Sequence, residues 1–292
     1  MAIFKLFLER IKLAVQKRTQ AKWHQQKSYE TWAAKGYDNT PEVSVIIQSH
    51  NKSVQVEHIV NKLRKRQSLE IIVVDDGSGL THTRSLAKLL TGANEFLLHS
   101  NDLYENIMYD RTLRMANGKY IALLQDDDDF DSLEWIDEAV RLFRKYPLLA
   151  ILGGKDGMQV TFEDGRVKNR PCAPSGEGGV TFVPVVNRAP MWIRKDLYEQ
   201  KLHHVDFAFA PFQYDDYELC LRAWLNGLQV GWYQVGFKSL GAGGMRLWNG
   251  LFTRQQYEKN GKLLYNLYHA KAERIGQLVE EANSQKAFAR SK

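Results

Sequence analysis

Four consecutive aspartates at residues 126–129 follow an apolar run at residues 119–124. Like charges about 4 Å apart repel by ~1 kcal/mol in water and by ~4 kcal/mol at an effective dielectric constant of 20, so the run carries a cost. Adjacent carboxylates with no histidine or cysteine nearby are hard oxygen ligands, which suit Mg²⁺ or Mn²⁺ rather than Zn²⁺. Mg²⁺ completes its shell with water and substrate phosphates. The run therefore predicts a site for a divalent cation and a nucleotide diphosphate, with a solvated acidic loop as the alternative.

Two more polar clusters follow apolar runs in the same way. They are QSHN at residues 48–51 and DDGSG at residues 75–79. Asn51, Asp75 and Asp76 are suited to hydrogen bonds with the N–H and hydroxyl groups of a base and a ribose. The sequence has neither a Walker loop nor a G-x-G-x-x-G motif, so we expect a metal ion rather than a helix N-terminus to hold the phosphates. Each cluster alone could be an ordinary turn, but three together indicate a shared pocket.

The elements that must position these clusters alternate along the chain. Strand-like runs at 43–48, 69–76, 95–99 and 119–124 are separated by helical patterns near 54–66, 81–91 and 105–116. This alternation predicts an α/β fold with a parallel, right-handed βαβ sheet, in which ligands bind beyond the carboxyl ends of the strands. After the aspartates we predict a helix over 132–145, with Asp131 as its N-cap and Glu134 completing a capping box.

Composition narrows the class of protein. The 292 residues are 44% hydrophobic and carry a net charge of +6, with acidic residues in the middle of the chain and basic residues at both ends. The two cysteines, Cys172 and Cys220, match no disulfide or metal-binding pattern, which favours a reducing, cytoplasmic setting. The basic residues flank the predicted cleft, so nucleic acid is not an expected partner.

The first residues have the spacing of an amphipathic helix. Apolar residues recur at helical intervals over residues 3–18, and lysine and arginine occupy the rest of the surface. Charged residues interrupt each apolar run, so we do not expect this segment to cross a membrane. The pattern predicts a peripheral contact with anionic lipid at the inner face of the cell membrane. Docking on its own domain or on another subunit, as in an oligomer, is an equally open alternative.

Four motifs, in this order, resemble the family 2 glycosyltransferases of the GT-A fold. They are VSVIIQSHN from residue 43, LEIIVVDDGS from residue 69, YDRTLRMANGKYIALLQDDDD from residue 109 and YDDYELCLRAWLNG from residue 214. The resemblance covers about two-thirds of the chain, from residue 43 to residue 232. It implies a Rossmann-like, mostly parallel sheet with flanking helices, to which this chain adds N- and C-terminal helical extensions. It also implies metal-dependent, inverting transfer of a sugar from a nucleotide-sugar.

This resemblance divides the chain into four segments. Residues 1–40 form the amphipathic helix and its connector, and residues 41–131 form the half that binds the nucleotide-sugar. Residues 132–250 form the half that binds the acceptor and catalyses transfer, and residues 251–292 form a helical tail.

The resemblance also assigns nucleotide-sugar contacts to particular positions. The turn at residues 49–51 meets the nucleotide, and Asp75, with Asp76 as its alternative, contacts the base. Arg111 faces the diphosphate. The complete set for the nucleotide-sugar is Ser49, His50, Asn51, Asp75, Asp76, Arg111 and Asp126.

The metal motif departs from the family at one position. Asp127 corresponds to the main metal ligand of the family's Asp-x-Asp motif, and Asp126 is the middle residue, which faces the ribose or the metal. Gln125 stands where many members have the first aspartate. This LQDDD variant also occurs in the family, so we expect an active enzyme with Mn²⁺ or Mg²⁺ as cofactor.

The catalytic base is assigned to the acidic pair before the last motif helix. Inversion requires a base that takes the proton from the acceptor hydroxyl. Asp216 matches the family's base, and Asp215 replaces the more usual glutamate beside it. A neighbouring carboxylate raises the pKa of such a base toward neutrality. The alternative is that both acids only favour the macrodipole in the first turn of a helix.

The sequence thus predicts a hexosyltransferase that uses a nucleotide-sugar such as a UDP-sugar. The acceptor is a saccharide or a lipid-linked group in bacterial surface polysaccharide or glycolipid synthesis. A sugar nucleotidyltransferase is one alternative, although it typically has a glycine-rich loop after its first strand. A catalytically inactive GT-A domain that binds a nucleotide or carbohydrate is the other.

Overall fold

The computed structural model describes residues 8–18, 30, 34, 36–172, 179–188, 190–239 and 250–290. Its strands are β1 (Val43–Ser49), β2 (Leu69–Asp76), β3 (Glu95–Ser100), β4 (Tyr120–Gln125), β5 (Asp128–Phe130), β6 (Leu149–Gly153), β7 (Gly157–Glu163), β8 (Arg166–Pro171), β9 (Thr181–Phe182), β10 (Val185–Val186), β11 (Met191–Arg194), β12 (Gln229–Trp232) and β13 (Phe237–Ser239). Its longer helices are α1 (Ser53–Leu63), α2 (Leu80–Leu89), α3 (Tyr104–Met115), α4 (Glu134–Lys145), α5 (Asp215–Leu225), α6 (Gly250–Tyr268) and α7 (Ala272–Arg290). Short helical segments occur at Lys195–Leu197, Tyr198–Leu202, Phe207–Phe209 and His269–Lys271.

The described residues form two compact units. One consists of the described part of residues 1–39 together with Gly92–Asn94, and the other of Thr40–Thr91 and Glu95 onward. In the first unit, residues 8–18 are helical, as the amphipathic pattern predicts; residues 3–7 of that pattern lie outside the described residues. None of the described helices is both long and apolar enough to span a membrane.

The second unit is built on an eight-stranded sheet with the order β3-β2-β1-β4-β11-β6-β12-β9. Strands β3, β2, β1 and β4 are parallel to one another, and β12 is parallel to β6. Strand β11 lies antiparallel between β4 and β6. The α/β class and the mostly parallel sheet are therefore confirmed.

The register of the sheet brings the three polar clusters to one edge. Ser49 is paired with Asp75, and Gln48 is paired with Gln125. Every residue of β1 and β2 is buried, because helices and neighbouring strands cover both strands. The strands end together at the point where the polar residues begin. Their side chains consequently share the carboxyl edge, as the sequence predicts.

The predicted capping box is wrong. Helix α4 begins at Glu134 with Leu133 as its N-cap, whose side chain forms no capping hydrogen bond, and the N–H of Glu134 donates to Ser132 Oγ at 3.4 Å. The reason is that the chain is still extended beforehand, because β5 pairs antiparallel with β13. Asp131 instead pairs with Lys238, whose Nζ lies 2.7 Å from Asp131 Oδ2.

Candidate active site

The turn after β1 is joined to the turn after β2 by three side chains. The backbone N–H of Asn51 donates to Ser78 Oγ at 2.7 Å, and Asn51 Oδ1 accepts from the N–H of Gly79 at 2.8 Å. His50 Nδ1 lies 2.7 Å from the carbonyl oxygen of Asp76, so it must be the protonated ring nitrogen. His50 Nε2 then accepts from Asn51 Nδ2 at 2.9 Å. These bonds fix the shape of the pocket edge, and direct contact of either residue with a nucleotide stays a prediction.

Asp75 and Asp76 lie on opposite faces of β2 and differ in their partners. Asp76 accepts the backbone N–H groups of Leu103 and Tyr104 at 3.0 Å each, and it thereby fixes the start of α3. Asp75 is 2% exposed, and its Oδ2 accepts from Thr83 Oγ1 at 2.7 Å. Its Oδ1 is buried and has no hydrogen-bond partner among the described residues. A buried acceptor of this kind fits an N–H donor of a ligand, so Asp75 suits the base better than Asp76 does.

The first two aspartates of the run have different partners. Asp126 Oδ2 accepts the backbone N–H of His50 at 2.8 Å, and its Oδ1 lies 3.3 Å from Lys52 Nζ. Asp127 Oδ2 accepts from Ser239 Oγ at 2.6 Å. Asp127 Oδ1 is buried and has no hydrogen-bond partner within the described part of the chain. Asp127 therefore has a free oxygen for a ligand, whereas both oxygens of Asp126 are engaged.

The other two aspartates are structural. Asp128 Oδ2 accepts the backbone N–H of Gln125 at 2.8 Å, and burial together with Asp127 raises the pKa of Asp128 to about 7. Asp129 forms an ion pair with Lys62, whose Nζ lies 2.5 Å from Asp129 Oδ1. Separate partners thus relieve much of the repulsion within the run.

The donor set fits a hard divalent cation that is completed by its substrate. Among the described residues, no group of three or more His, Cys, Asp or Glu side chains is arranged to hold a metal ion. Mg²⁺ and Mn²⁺ sites in nucleotide enzymes use one or two carboxylates plus phosphate oxygens and water. The free oxygen of Asp127, next to Asp126, suits such a site.

A second acidic centre lies around Arg188. The Arg188 guanidinium forms an ion pair with Asp215, and its Nη1 lies 3.9 Å from Glu105 Oε2. It also lies over the ring of Tyr109 at 4.7 Å, a contact that suits its planar cation. Burial opposes the charge, but the surrounding carboxylates raise the pKa of Arg188 above its ordinary value. Arg188 therefore remains charged.

The two acids at the start of α5 have different environments. Asp215 is 1% exposed and bound to Arg188, so it is neutralised within the network. Asp216 is only partly buried. Burial, reinforced by Asp215 and opposed by Arg188, raises the pKa of Asp216 to about 6. A carboxylate with this pKa is ionised at neutral pH and has a useful affinity for a proton, so Asp216 is suited to act as a general base.

A line of polar contacts joins the metal motif to this acidic centre. Gln125 Nε2 donates to Glu105 Oε1 at 3.1 Å, and Glu105 in turn faces Arg188, which holds Asp215. An aspartate in place of Gln125 would have no N–H to donate to Glu105 Oε1. The departure from the family's first aspartate therefore has a local physical reason.

Glu105 and Arg188 are absent from the residues predicted from the sequence. Glu105 shares the buried face of α3 with Met108 and Tyr109, at intervals of three and four residues. An acid on an otherwise buried stripe is a signal that the sequence does contain. Arg188 lies in a loop outside any recognised motif, and only the tertiary fold brings it to Asp215.

The pKa of Glu105 makes stability dependent on pH. Burial is the main cause and raises the pKa of Glu105 to about 8. Asp215 and Asp216 add to this rise, and Arg188 opposes it. The unfolded value is about 4.3, so the folded state holds the proton over this interval and stability falls as pH rises through it. As pH rises from about 5 to about 9, we expect the free energy of unfolding to fall less for Glu105→Gln than for the wild type. Urea denaturation at several pH values measures this, and parallel curves for the two proteins would contradict it.

Two predicted site residues lie outside this network. The side chain of Arg111 is 60% exposed, with Nη1 3.9 Å from Asp110 Oδ2 and its guanidinium 5.4 Å from the ring centre of Phe207. Ser49 is fully buried, and its Oγ has no hydrogen-bond partner among the residues described. Their contacts with a diphosphate or a nucleotide stay predictions.

The chain is similar to proteins of known fold. Residues 44–221, more than half of the chain, match the profile of glycosyl transferase family 2. Mannosyltransferase PcManGT from Pyrobaculum calidifontis, solved with GDP-Man and Mn²⁺, has a TM-score of 0.52 and 13% identity, over 88% of this chain and 80% of that chain. S. aureus TarS 1–349 has a TM-score of 0.54 and 16% identity, over 86% of this chain and 73% of that chain. A comparison with curated protein sequences gives no significant match. The similarity to these GT-A structures confirms the predicted fold, and the family match shows that the chain belongs to glycosyl transferase family 2.

Proposed function

We propose that the protein transfers a sugar from a nucleotide-diphosphate sugar to an acceptor hydroxyl with inversion. The observation that carries the proposal is Asp216, a partly buried carboxylate whose pKa is raised to about 6 beside the Arg188–Asp215 ion pair. In this reaction Asp216 takes the proton of the acceptor hydroxyl. The acceptor oxygen forms a bond to the anomeric carbon as the bond from that carbon to the diphosphate breaks.

The strand edge supplies the proposed donor site. The free Oδ1 of Asp75 accepts an N–H of the base, and the turns held by His50 and Asn51 form the edge of the pocket. The similar mannosyltransferase was solved with GDP-Man and Mn²⁺, which supports a nucleotide-sugar and a divalent cation here. We therefore assign Asp127, with Asp126 beside it, to Mn²⁺ or Mg²⁺. When bound, the ion neutralises charge on the departing diphosphate.

The metal assignment predicts a change in ligand-dependent stability. A ligand that binds only the native state raises the melting temperature by mass action. We expect Asp127→Asn to lose the part of the rise with UDP- or GDP-sugars that requires Mn²⁺, because the amide is a poorer ligand than the carboxylate. A thermal-shift titration measures this, with Asp131→Asn as the control because its side chain is 74% exposed. An unchanged Mn²⁺-dependent rise in Asp127→Asn would remove Asp127 from the metal site.

The reaction itself is tested with a panel of nucleotide-sugars, Mn²⁺ and saccharide or lipid-linked acceptors. We expect release of nucleoside diphosphate together with a glycosylated product of inverted anomeric configuration, determined by NMR. Formation of pyrophosphate from a nucleoside triphosphate and a sugar 1-phosphate would indicate a nucleotidyltransferase instead. Binding of a nucleotide-sugar without turnover or hydrolysis across the panel would indicate an inactive binding domain.

We also propose that residues 8–18 contact anionic lipid, as expected for an enzyme with a lipid-linked acceptor. Leu8, Ile11 and Val15 are 45%, 45% and 59% exposed and lie at helical spacing. Four basic residues and one acid share this segment, a charge balance that suits anionic lipid. We expect cosedimentation with vesicles containing phosphatidylglycerol and much less with pure phosphatidylcholine. Replacement of Leu8 and Ile11 by serine should abolish binding, and retained binding would contradict the assignment.

A further inference from the structure

Helix α6 lies beyond the residues that match the family profile, yet it contacts the segment that leads into α5. Its Asn260 is fully buried. Asn260 Nδ2 donates to the carbonyl oxygens of Phe209, Phe212 and Gln213, at 2.7, 2.8 and 3.1 Å. Three acceptors around one nitrogen identify it as the amide NH₂ group, whose two hydrogens are shared among them. One side chain of α6 therefore binds most of the segment before Asp215 and Asp216.

The segment that Asn260 binds has an unfavourable backbone conformation. Gln213 and Tyr214, the two residues before α5, have φ values of 77° and 66°. Positive φ is uncommon for residues other than glycine, and such conformations persist only when the surrounding structure holds them. Tyr214 is the N-cap residue of α5, directly before Asp215 and Asp216. The direction in which Asp216 points thus depends on contacts that maintain this turn.

Helix α6 makes two further contacts at the same place. Gly261 lies against the ring of Tyr214, since a Cβ at this position would be 3.3 Å from Tyr214 Cε2. About two turns further along, Tyr268 OH donates to Glu218 Oε1 at 2.9 Å, near the start of α5. Asn260, Gly261 and Tyr268 therefore contact α5 and its approach from one side.

We propose that Asn260 is a positioning residue, which holds the turn at Gln213 and Tyr214 so that Asp216 faces the acceptor hydroxyl. The proposal rests on the proposed function, because it gives Asp216 the role of base. It adds a residue of α6, a helix outside the family-matched region, to the residues that support catalysis. Asn260 itself is buried and does not touch the substrate.

Replacement of Asn260 by aspartate tests this with almost no change of shape. The variant presents an acceptor, in place of a donor, to three carbonyl oxygens, so the turn should rearrange. We expect kcat to fall about 100-fold, the size of effect that a displacement of about 1 Å produces at a reacting group. The KM for the nucleotide-sugar should stay within about 2-fold, because the donor site lies on the strand edge. A merely structural residue would not separate kcat from KM in this way.

Asn283 on α7 provides the matched control. It is also an asparagine that binds a backbone segment, since its Oδ1 accepts the N–H of Phe182 and its Nδ2 donates to the carbonyl oxygen of Phe182, at 3.1 and 2.8 Å. That segment is β9, an edge strand of the eight-stranded sheet, which is not part of the turn before Asp216. We expect Asn283→Asp to lower the melting temperature and to leave kcat unchanged. An equal loss of kcat in both variants would overturn the proposal, because general destabilisation would then explain it.

Gly261→Ala provides a second test of the proposal if Asn260→Asp does not fold. Alanine favours a helix over glycine by about 1 kcal/mol, so unfolding free energy should be maintained or raised. The new Cβ displaces the Tyr214 ring by a few tenths of an ångström, and we expect kcat to fall about 3-fold. A fall in kcat without a fall in stability supports positioning, whereas wild-type kcat in both this variant and a folded Asn260→Asp overturns it.

Hydrogen exchange gives a readout that does not require transfer. In Asn260→Asp we expect the amides of residues 213–217 to lose protection, and in Asn283→Asp we expect those residues to keep it. Unchanged protection at residues 213–217 in Asn260→Asp overturns the proposal. Absence of transfer by the wild-type protein, in contrast, overturns the proposed function.

Discussion

Replacing Asp216 by asparagine is expected to lower kcat about 1,000-fold and to leave the dissociation constant of the nucleotide-sugar unchanged. The amide has almost the shape of the carboxylate but cannot take the acceptor's proton. The donor site, on the strand edge, keeps its groups. Steady-state kinetics and isothermal titration with the same nucleotide-sugar measure the two quantities. Wild-type turnover by the variant would remove Asp216 from the chemistry.

The pH dependence of the wild-type enzyme gives the same assignment a second test. Because the pKa of Asp216 is about 6, the base is protonated and inactive below this value and ionised above it. We expect kcat/KM to rise with pH and to level off above about 6. The residual activity of Asp216→Asn should lack this rise of kcat/KM with pH. Asp196→Asn is the control and should keep this rise, because Asp196 is 39% exposed and pairs with Arg194 at the end of β11.

Replacing Arg188 by leucine is expected to lower the free energy of unfolding by about 3–5 kcal/mol. The substitution removes the cation between two buried acids and leaves Asp215, which is 1% exposed, without its ion pair. Urea denaturation measures the loss. Arg141→Leu is the control, because Arg141 and Glu138 are 51% and 35% exposed and such pairs contribute ~1 kcal/mol or less. A loss for Arg188→Leu no larger than for the control would contradict the buried network.

The double variant Arg188→Leu, Asp215→Leu separates loss of the pair from loss of one partner. Apolar residues in place of both members of a buried ion pair are often tolerated, whereas removal of one partner leaves an uncompensated charge. We expect the double variant to be more stable than Arg188→Leu. Burial, the largest cause of the raised pKa of Asp216, is kept in this variant, and the opposing effects of Arg188 and Asp215 are removed together.

The carboxyl edge of the sheet could be predicted because local patterns determine it. Strands β1, β2 and β4 are continuous apolar runs, and the first polar residue after each run lies where the strand ends. Parallel pairing then brings Ser49, Asp75 and Gln125 to one edge without further information. Helix α5 and its two acids could also be predicted from the sequence, because the apolar positions and Gly227 define both ends of the helix.

Other features depend on contacts between distant parts of the chain. The sequence cannot distinguish Asp75 from Asp76, because the difference is that Leu103 and Tyr104 occupy the oxygens of Asp76. The capping box failed for a similar reason: β13, more than a hundred residues away, keeps the chain before α4 extended. The pairing of β5 with β13 therefore overrides the local preference for a helix cap at Asp131.

Arg188 and Asn260 illustrate the same limit more strongly. Neither belongs to a motif, and their flanking residues carry no periodic pattern that would single them out. Arg188 matters because the fold brings it to Asp215, and Asn260 because it meets the carbonyl oxygens of residues 209–213. Only the geometry of the folded chain identifies them.

The order of the elements along the chain has a consequence for biosynthesis. Strands β1 to β4, which carry the donor edge, are complete within residues 43–125, whereas the turn before Asp216 is secured by Asn260 in α6. Chains fold from the N-terminus as they leave the ribosome, and segments close in sequence meet first. We expect the nucleotide pocket to assemble on the nascent chain well before Asp216 reaches its final orientation. With the roles proposed for Asp216 and Asn260, we expect sugar transfer only after α6 has been synthesised and docked, and we expect a chain that ends before α6 to bind the nucleotide-sugar without transferring the sugar.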